Sequence, residues 1–226
     1  MFFPVTIVDD FLKNHDELVS FAKTIKMNKS NDVPGYRSDK LSEINYEMYT
    51  YVAKKMLSIL YPQEVNTVYN NIEYHADAYF QSTKTNEVKD GWIHADENYL
   101  TTILYLSKDY DYGTSFYKKK TDYATGDTVC KDSYEGKKKK FFSGEYTDLD
   151  DLKKTRLRNN LDFEKTVEVK GLYNRLIMFD PNYYHAVDVS PNPDEDTDRL
   201  ILMYFFWDMR MKDDRLKLPI PESRTF

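Results

Sequence analysis

At 226 residues the chain is long enough to bury a full core as one domain, and its 20 Tyr and 13 Phe point to β-sheets that bury large side chains. A net charge of -6, from 38 acidic and 32 basic residues, argues against nonspecific nucleic-acid binding over the whole surface, and a single cysteine, Cys130, excludes an intramolecular disulfide or a thiolate zinc cluster within one chain. The start, Met1-Phe2-Phe3-Pro4, lacks a signal-peptide pattern and no stretch reaches the roughly 18 apolar residues of a membrane helix, so a cytoplasmic location with no membrane partner is expected.

In chain order, Phe3 to Val8 reads as a short strand. Asn14-His15-Asp16-Glu17 has the form of a capping box, and Leu18, Phe21, Ala22 and Ile25 follow at helical spacing, so an amphipathic helix is predicted there. Residues 28–37, with Pro34-Gly35, read as a loop. Leu41, Ile44, Met48, Tyr51, Val52, Met56 and Ile59 predict a second helix with one apolar face, ending at Tyr61-Pro62. From Val68 the pattern changes to short apolar runs between turns. Candidate strands are 70–80, 91–95, 99–107, 114–118, 165–171, 173–180, 183–189 and 199–207, about the number in a jelly roll. Asp180-Pro181-Asn182 and Ser190-Pro191-Asn192-Pro193-Asp194 provide turns on either side of the seventh.

A polar insertion at about 119–163 separates the fourth and fifth strands. It holds Lys137 to Lys140, Phe141-Phe142 and a short helix near 148–158, and it reads first as a solvated excursion. The expected organisation is a single domain over 1–226: helical support at 1–66, a β-core at 67–210 and a C-terminal tail at 211–226.

The chemistry concentrates in four residues: His94 and Asp96 in Trp92-Ile93-His94-Ala95-Asp96, His185 in Tyr183-Tyr184-His185-Ala186, and Arg199. On extended backbone residues i and i+2 project to one side, so His94 and Asp96 can face one ion while Ala95 turns away. Two imidazoles and one carboxylate leave three positions open on a metal, as a non-haem Fe(II) oxygenase needs for a cosubstrate and O2. His-x-Asp alone is a weak motif. Its weight comes from the flanking strands and the arginine; His15 and His75 lack that company and read as surface or core fillers, and Cys130 has no catalytic neighbourhood.

These residues sit in an ordered series of blocks: His94-Ala95-Asp96, Thr101-Thr102-Ile103-Leu104-Tyr105-Leu106, Tyr112-Gly113-Thr114-Ser115-Phe116, Asn174-Arg175-Leu176-Ile177-Met178-Phe179, His185 and Arg199-Leu200-Ile201-Leu202. Over about 70–208 the series resembles the iron(II)- and 2-oxoglutarate-dependent oxygenases of the prolyl 4-hydroxylase type, including phage-encoded members, and Val8-Asp9-Asp10-Phe11-Leu12 looks like that family's lead-in. The resemblance implies a mainly β fold with flanking α-helices, a double-stranded β-helix or jelly roll behind N-terminal helices. It implies iron held by His94, Asp96 and His185, and the distal carboxylate of 2-oxoglutarate held by Arg199 and Tyr105, with help from an upstream tyrosine, Tyr79 in preference to Tyr74. A guanidinium suits that role as a planar, permanently charged fork. Asp96 stands where related halogenases have a small residue, which favours hydroxylation, with O2 consumed, succinate and CO2 released, and ascorbate a candidate reductant.

The chain departs from the family in two places. Gly113-Thr114 replaces a common Gly-Gly, and Arg199 follows His185 by 14 residues; Arg175, on another strand, is the fallback cation and reads as a surface charge. The expected substrate is a protein residue or a small molecule, encountered in the host cytoplasm if the chain is phage-encoded. The competing readings are a nucleic-acid or nucleobase oxidase, supported only by the lysine-rich insertion, and a metal-free β-barrel used for binding.

Overall fold

A computed structural model describes residues 5–29, 35–60, 72–84, 91–108, 113–120, 140, 145, 147–188 and 198–212. The elements in chain order are β1 (Val5–Val8), α1 (His15–Thr24), β2 (Met27–Lys29), β3 (Tyr36–Ser38), α2 (Leu41–Ile44), α3 (Tyr46–Leu60), β4 (Ile72–Lys84), β5 (Leu100–Tyr105), β6 (Thr114–Lys119), α4 (Leu149–Leu161), β7 (Phe163–Val169), β8 (Leu176–Phe179), β9 (Tyr184–Val187) and β10 (Asp198–Met211).

Two antiparallel sheets form. The larger has the order β1-β8-β5-β10-β4-β3-β2 and the smaller β7-β6-β9, to which residue 94 adds a single bridge, His94 to His185. From β4 onward the chain visits the larger sheet, then the His94 segment, then β5, then β6 and β7, then β8, β9 and β10. That alternation between facing sheets is the winding of a double-stranded β-helix, as the sequence leads one to expect.

Period-two burial explains why the larger sheet is stable in the middle. On its outer face Leu100 and Leu104 of β5, Leu176 and Met178 of β8, and Leu202, Tyr204 and Phe206 of β10 join Leu18 and Ala22 of α1 and Tyr49, Val52, Ala53, Met56 and Leu57 of α3 in one core. The alternate residues Ile103, Tyr105, Ile177, Phe179, Ile201 and Met203 face the barrel interior, with Phe116 and Val169 from the smaller sheet. Full burial of each such aliphatic or aromatic side chain contributes about 1.5–3 kcal/mol. The buried tyrosine hydroxyls are satisfied: Tyr49 donates to the Ala76 carbonyl at 3.0 Å and Tyr204 to the Tyr49 carbonyl at 2.9 Å.

Several local expectations are corrected. α1 starts where predicted, but Asn14 makes no side-chain cap; its backbone carbonyl accepts from Glu17 N instead, so no capping box forms. The predicted helix from Leu41 is broken at Asn45, whose backbone leaves the helical region and whose Oδ1 accepts from Met48 N at 2.9 Å, starting α3 afresh. That break resets the helical phase, so Tyr49, Val52, Ala53, Met56 and Leu57 are the buried stripe, and Ile44 and Tyr51 of the predicted face are exposed. Within the predicted loop 28–37, Met27–Lys29 and Tyr36–Ser38 pair as an antiparallel ribbon that extends the sheet past β4. The expected strand 91–95 is reduced to the one bridge at His94. β10 runs on to Met211 through an irregularity between Phe206 and Asp208. Tyr61-Pro62, Lys137–Lys139, Phe141-Phe142, Cys130, the 190–194 turn and most of the 211–226 tail lie outside the described residues. Among the described residues, no helix is long and apolar enough to cross a membrane.

Candidate metal centre

Residues 91–96 run along the free side of β9, and their alignment with it rests on two backbone bonds: His94 N donates to His185 O at 3.1 Å and His185 N to His94 O at 2.8 Å. Gly91 permits the approach. A Cβ there would lie 2.1 Å from the Val187 carbonyl oxygen. Two residues beyond His94, Asp96 N donates to the Pro181 carbonyl at 2.8 Å, and the Asp180-Pro181-Asn182 turn that presents this carbonyl is fixed by Asn182 N donating to Asp180 Oδ1 at 3.0 Å.

The result is a cluster of three ligand atoms, one each from His94, Asp96 and His185, all within 4.8 Å of one another. His94 Nε2 lies 3.7 Å from one Asp96 oxygen and His185 Nε2 3.5 Å from the other. The orientation of both rings is set from behind. His94 Nδ1 is 2.7 Å from the Trp92 carbonyl and His185 Nδ1 is 2.8 Å from the Tyr183 carbonyl. A carbonyl only accepts, so each Nδ1 carries a proton and each Nε2 is the ring atom left to face Asp96. The His185 side chain is 8% exposed and packs against Phe179 at 4.8 Å, whereas His94 and Asp96 are about a third exposed, so the cluster opens on one side.

Deeper in the barrel, Arg199 is 2% exposed, with its guanidinium carbon 5.6 Å from the centre of the Tyr105 ring. Its Nε and Nη2 are buried and have no hydrogen-bond partner among the described residues. The Tyr105 hydroxyl lies 2.8 Å from the Thr114 hydroxyl, and burial pushes the Tyr105 phenol up against the opposing effect of Arg199, which keeps it protonated. Thr114 follows Gly113, where a Cβ would sit 1.6 Å from the Val169 carbonyl oxygen. A buried guanidinium with two unpartnered nitrogens, beside two hydroxyls, fits a planar anion such as a carboxylate. Together with the three-ligand cluster, this donor set fits Fe(II) and 2-oxoglutarate.

Thus His94, Asp96 and His185 come together, and Arg199 and Tyr105 form a second group in the same interior. Tyr79 is the register partner of the interior residue Met203; its ring lies under the Arg37 guanidinium at 5.1 Å, and it is four residues along β4, about 13 Å of strand, from Thr83, the register partner of Arg199. Tyr74 projects to the outer face, against Tyr49 and Phe206. Arg175 pairs with Asp9 near the surface, His15 packs edge-on to Tyr173, and His75 is exposed. Thr114 was visible in the sequence only as a departure from Gly-Gly; its reach to Tyr105 depends on how the two sheets face each other.

The model of the family described as "Family of unknown function (DUF6445)" matches residues 3–206. No curated protein sequence matches the chain. Among solved structures, HygX from Streptomyces hygroscopicus with nickel, 2-oxoglutarate and hygromycin B bound is 9% identical and superposes with a TM-score of 0.54, covering 90% of this chain and 82% of that one. HygX with nickel and 2-oxoglutarate gives 0.51 at 12% identity over the same shares. SnoK, a non-haem alpha-ketoglutarate-dependent carbocyclase from nogalamycin biosynthesis, gives 0.50 at 9% identity, covering 98% of this chain and 90% of that one. These similarities establish a shared jelly-roll fold. The family match runs from before β1 into β10, and the chain therefore belongs to DUF6445, a family of unknown function.

Proposed function

We propose that the chain is an Fe(II)- and 2-oxoglutarate-dependent dioxygenase that hydroxylates a C–H bond of a protein residue or a small molecule. The observation that carries this reading is the buried Arg199 guanidinium, two of whose nitrogens lack a partner among the described residues, inside a barrel that also carries the His94, Asp96 and His185 cluster. Leaving a buried charge uncompensated costs several kcal/mol, and a cosubstrate carboxylate offsets that cost.

In this reading His94, Asp96 and His185 hold the iron, and the Trp92 and Tyr183 carbonyls keep the two imidazoles in the ligating tautomer. Arg199 binds the distal carboxylate of 2-oxoglutarate. Tyr105, protonated because it is buried, and Thr114 add hydroxyls at the same end. The apolar layer of Ile103, Phe116, Phe179, Ile201 and Met203 keeps water from the space between the two groups. When bound, iron with 2-oxoglutarate and O2 supplies the oxidising chemistry: one oxygen atom enters the product hydroxyl and the other enters succinate, with CO2 released. HygX has been seen with hygromycin B and SnoK belongs to nogalamycin biosynthesis, which supports a small molecule as one of the two substrate classes.

Anaerobic Fe(II) titration of the wild type, His94→Ala and Asp96→Ala tests the site. The expected result is one iron per chain in the wild type and loss of high-affinity binding in both variants. Retention of binding in both would sink the assignment.

A further inference from the structure

Among the described residues, the outer edge of residues 91–93 meets no β-strand. His94 turns its backbone N–H and C=O toward β9, so the neighbouring residues turn theirs the other way. There the edge meets the last turn of α4. Asn160 Nδ2 donates to the Gly91 carbonyl at 2.8 Å, Ile93 N donates to Asn160 Oδ1 at 3.2 Å, and Asn159 Nδ2 donates to the Ile93 carbonyl at 3.0 Å. The two amides are themselves joined, Asn159 Nδ2 to Asn160 Oδ1 at 3.1 Å. A side-chain amide has the same donor and acceptor as a peptide group, so the pair completes the hydrogen bonds that a further strand would make.

We propose that Asn159 and Asn160 are positioning residues of the metal centre, fixing from the outside the peptides whose inner carbonyl orients His94. This inference rests on the iron-site reading. The carbonyl that accepts from His94 Nδ1 belongs to Trp92, which lies between the two residues the asparagines hold. Ile93 is 5% exposed, so water has little access to its peptide groups should the amides be lost. On the other side the His94–His185 pair ties the segment to β9 and Asp96 N ties it to Pro181, so removing the asparagines loosens residues 91–93 and with them the carbonyl that orients His94.

α4 is built to hold this end still. Asp148 caps its start by accepting from Asp150 N and Asp151 N, Leu152 and Thr155 are buried, and its C-terminal end feeds directly into β7, with Asp162 O accepting from Lys120 N at 2.8 Å. The insertion between β6 and β7, which reads from sequence as a solvated excursion, thereby contributes support to the segment that carries His94, Ile93 lying 66 residues before Asn159.

The test uses the full chain and Co(II) and Fe(II) titrated anaerobically, with the Co(II) visible spectrum as a report on ligand geometry and apo-protein melting as a report on folding. Asn160→Ala is expected to weaken metal binding about 10- to 100-fold and to change the Co(II) spectrum. Asn159→Ala, which removes one bond to the segment, is expected to weaken it several-fold and serves if Asn160→Ala does not fold. Lys154→Ala, on the exposed face of α4, is expected to match the wild type. Metal affinity and spectrum unchanged in both asparagine variants, with the wild-type metal lost in His94→Ala, would overturn the positioning role and leave the iron site standing. A wild type that binds no metal would overturn the iron site and this inference with it.

Discussion

Two buried nitrogens of Arg199 have no hydrogen-bond partner among the described residues, and in the proposed reading a cosubstrate carboxylate meets them. A buried charge with unpartnered nitrogens is the reverse of a stabilising residue, so Arg199→Met, which keeps much of the volume and removes the charge, should leave the apo-protein as stable or more stable by about 1 kcal/mol. The same change should raise the KM for 2-oxoglutarate about 100-fold, since truncating one partner of a buried charge pair costs about 3 kcal/mol. Melting and cosubstrate kinetics measure the two effects, and a variant that loses stability while keeping its KM would make Arg199 structural. At this scale the sequence was most informative for the ligands. His94 and Asp96 needed only extended backbone to share a face, and His185 needed a neighbouring strand. The register of Arg199 was harder to read because 14 residues separate it from His185, and Thr114 harder still, because its hydroxyl meets Tyr105 across two sheets.

Elements hold the site through close approaches and ties between segments distant in sequence. Gly91→Ala would place a methyl group against the Val187 carbonyl and push residues 91–94 off β9; metal affinity should fall at least tenfold, while the α3 and larger-sheet core is left intact. Near-native melting combined with wild-type metal affinity would contradict this. A second tie joins the end of β1 to the start of β8: Arg175 Nη2 donates to Asp9 Oδ2 at 2.9 Å. Hydrogen bonding from Arg175, aided by its charge, holds the Asp9 carboxyl below the usual range. The carboxyl titrates lower in the folded chain than in the unfolded one. Its contribution is therefore complete above about pH 4 and is lost as pH falls through the lower folded-state value. Asp9 is 60% exposed and its pair is screened, so Asp9→Asn should cost up to about 1 kcal/mol at pH 7, and the gap to wild type should narrow as pH falls through the lowered folded-state value in denaturant titrations. The helices show why elements were only partly legible: one asparagine, Asn45, ended a helix and capped the next, and a pattern read straight through it named the buried Leu41, Val52 and Met56 together with the exposed Ile44 and Tyr51.

For the whole molecule, strand order carries the argument. Apolar runs and turns along the second half of the chain indicated a jelly roll, because each strand buries alternate residues on two sides. They could not indicate the β2–β3 ribbon, whose strands are three residues each, or the use of α4 as a surrogate edge strand, whose evidence lies in side-chain amides and not in periodicity. The winding puts the His94 segment and β9 side by side in one sheet and brings Arg199 and Tyr105 from the other sheet to face them, so cluster and cation share an interior although the sequence scatters them over more than 100 residues. In the proposed reading this interior couples 2-oxoglutarate oxidation to a metal held by His94, Asp96 and His185. The direct measurement is succinate formed from 2-oxoglutarate under O2 by the purified chain with Fe(II) and ascorbate. The expected result is O2-dependent succinate that a chelator abolishes and that His94→Ala reduces to background; succinate from the wild type no greater than from His94→Ala would rule the coupling out.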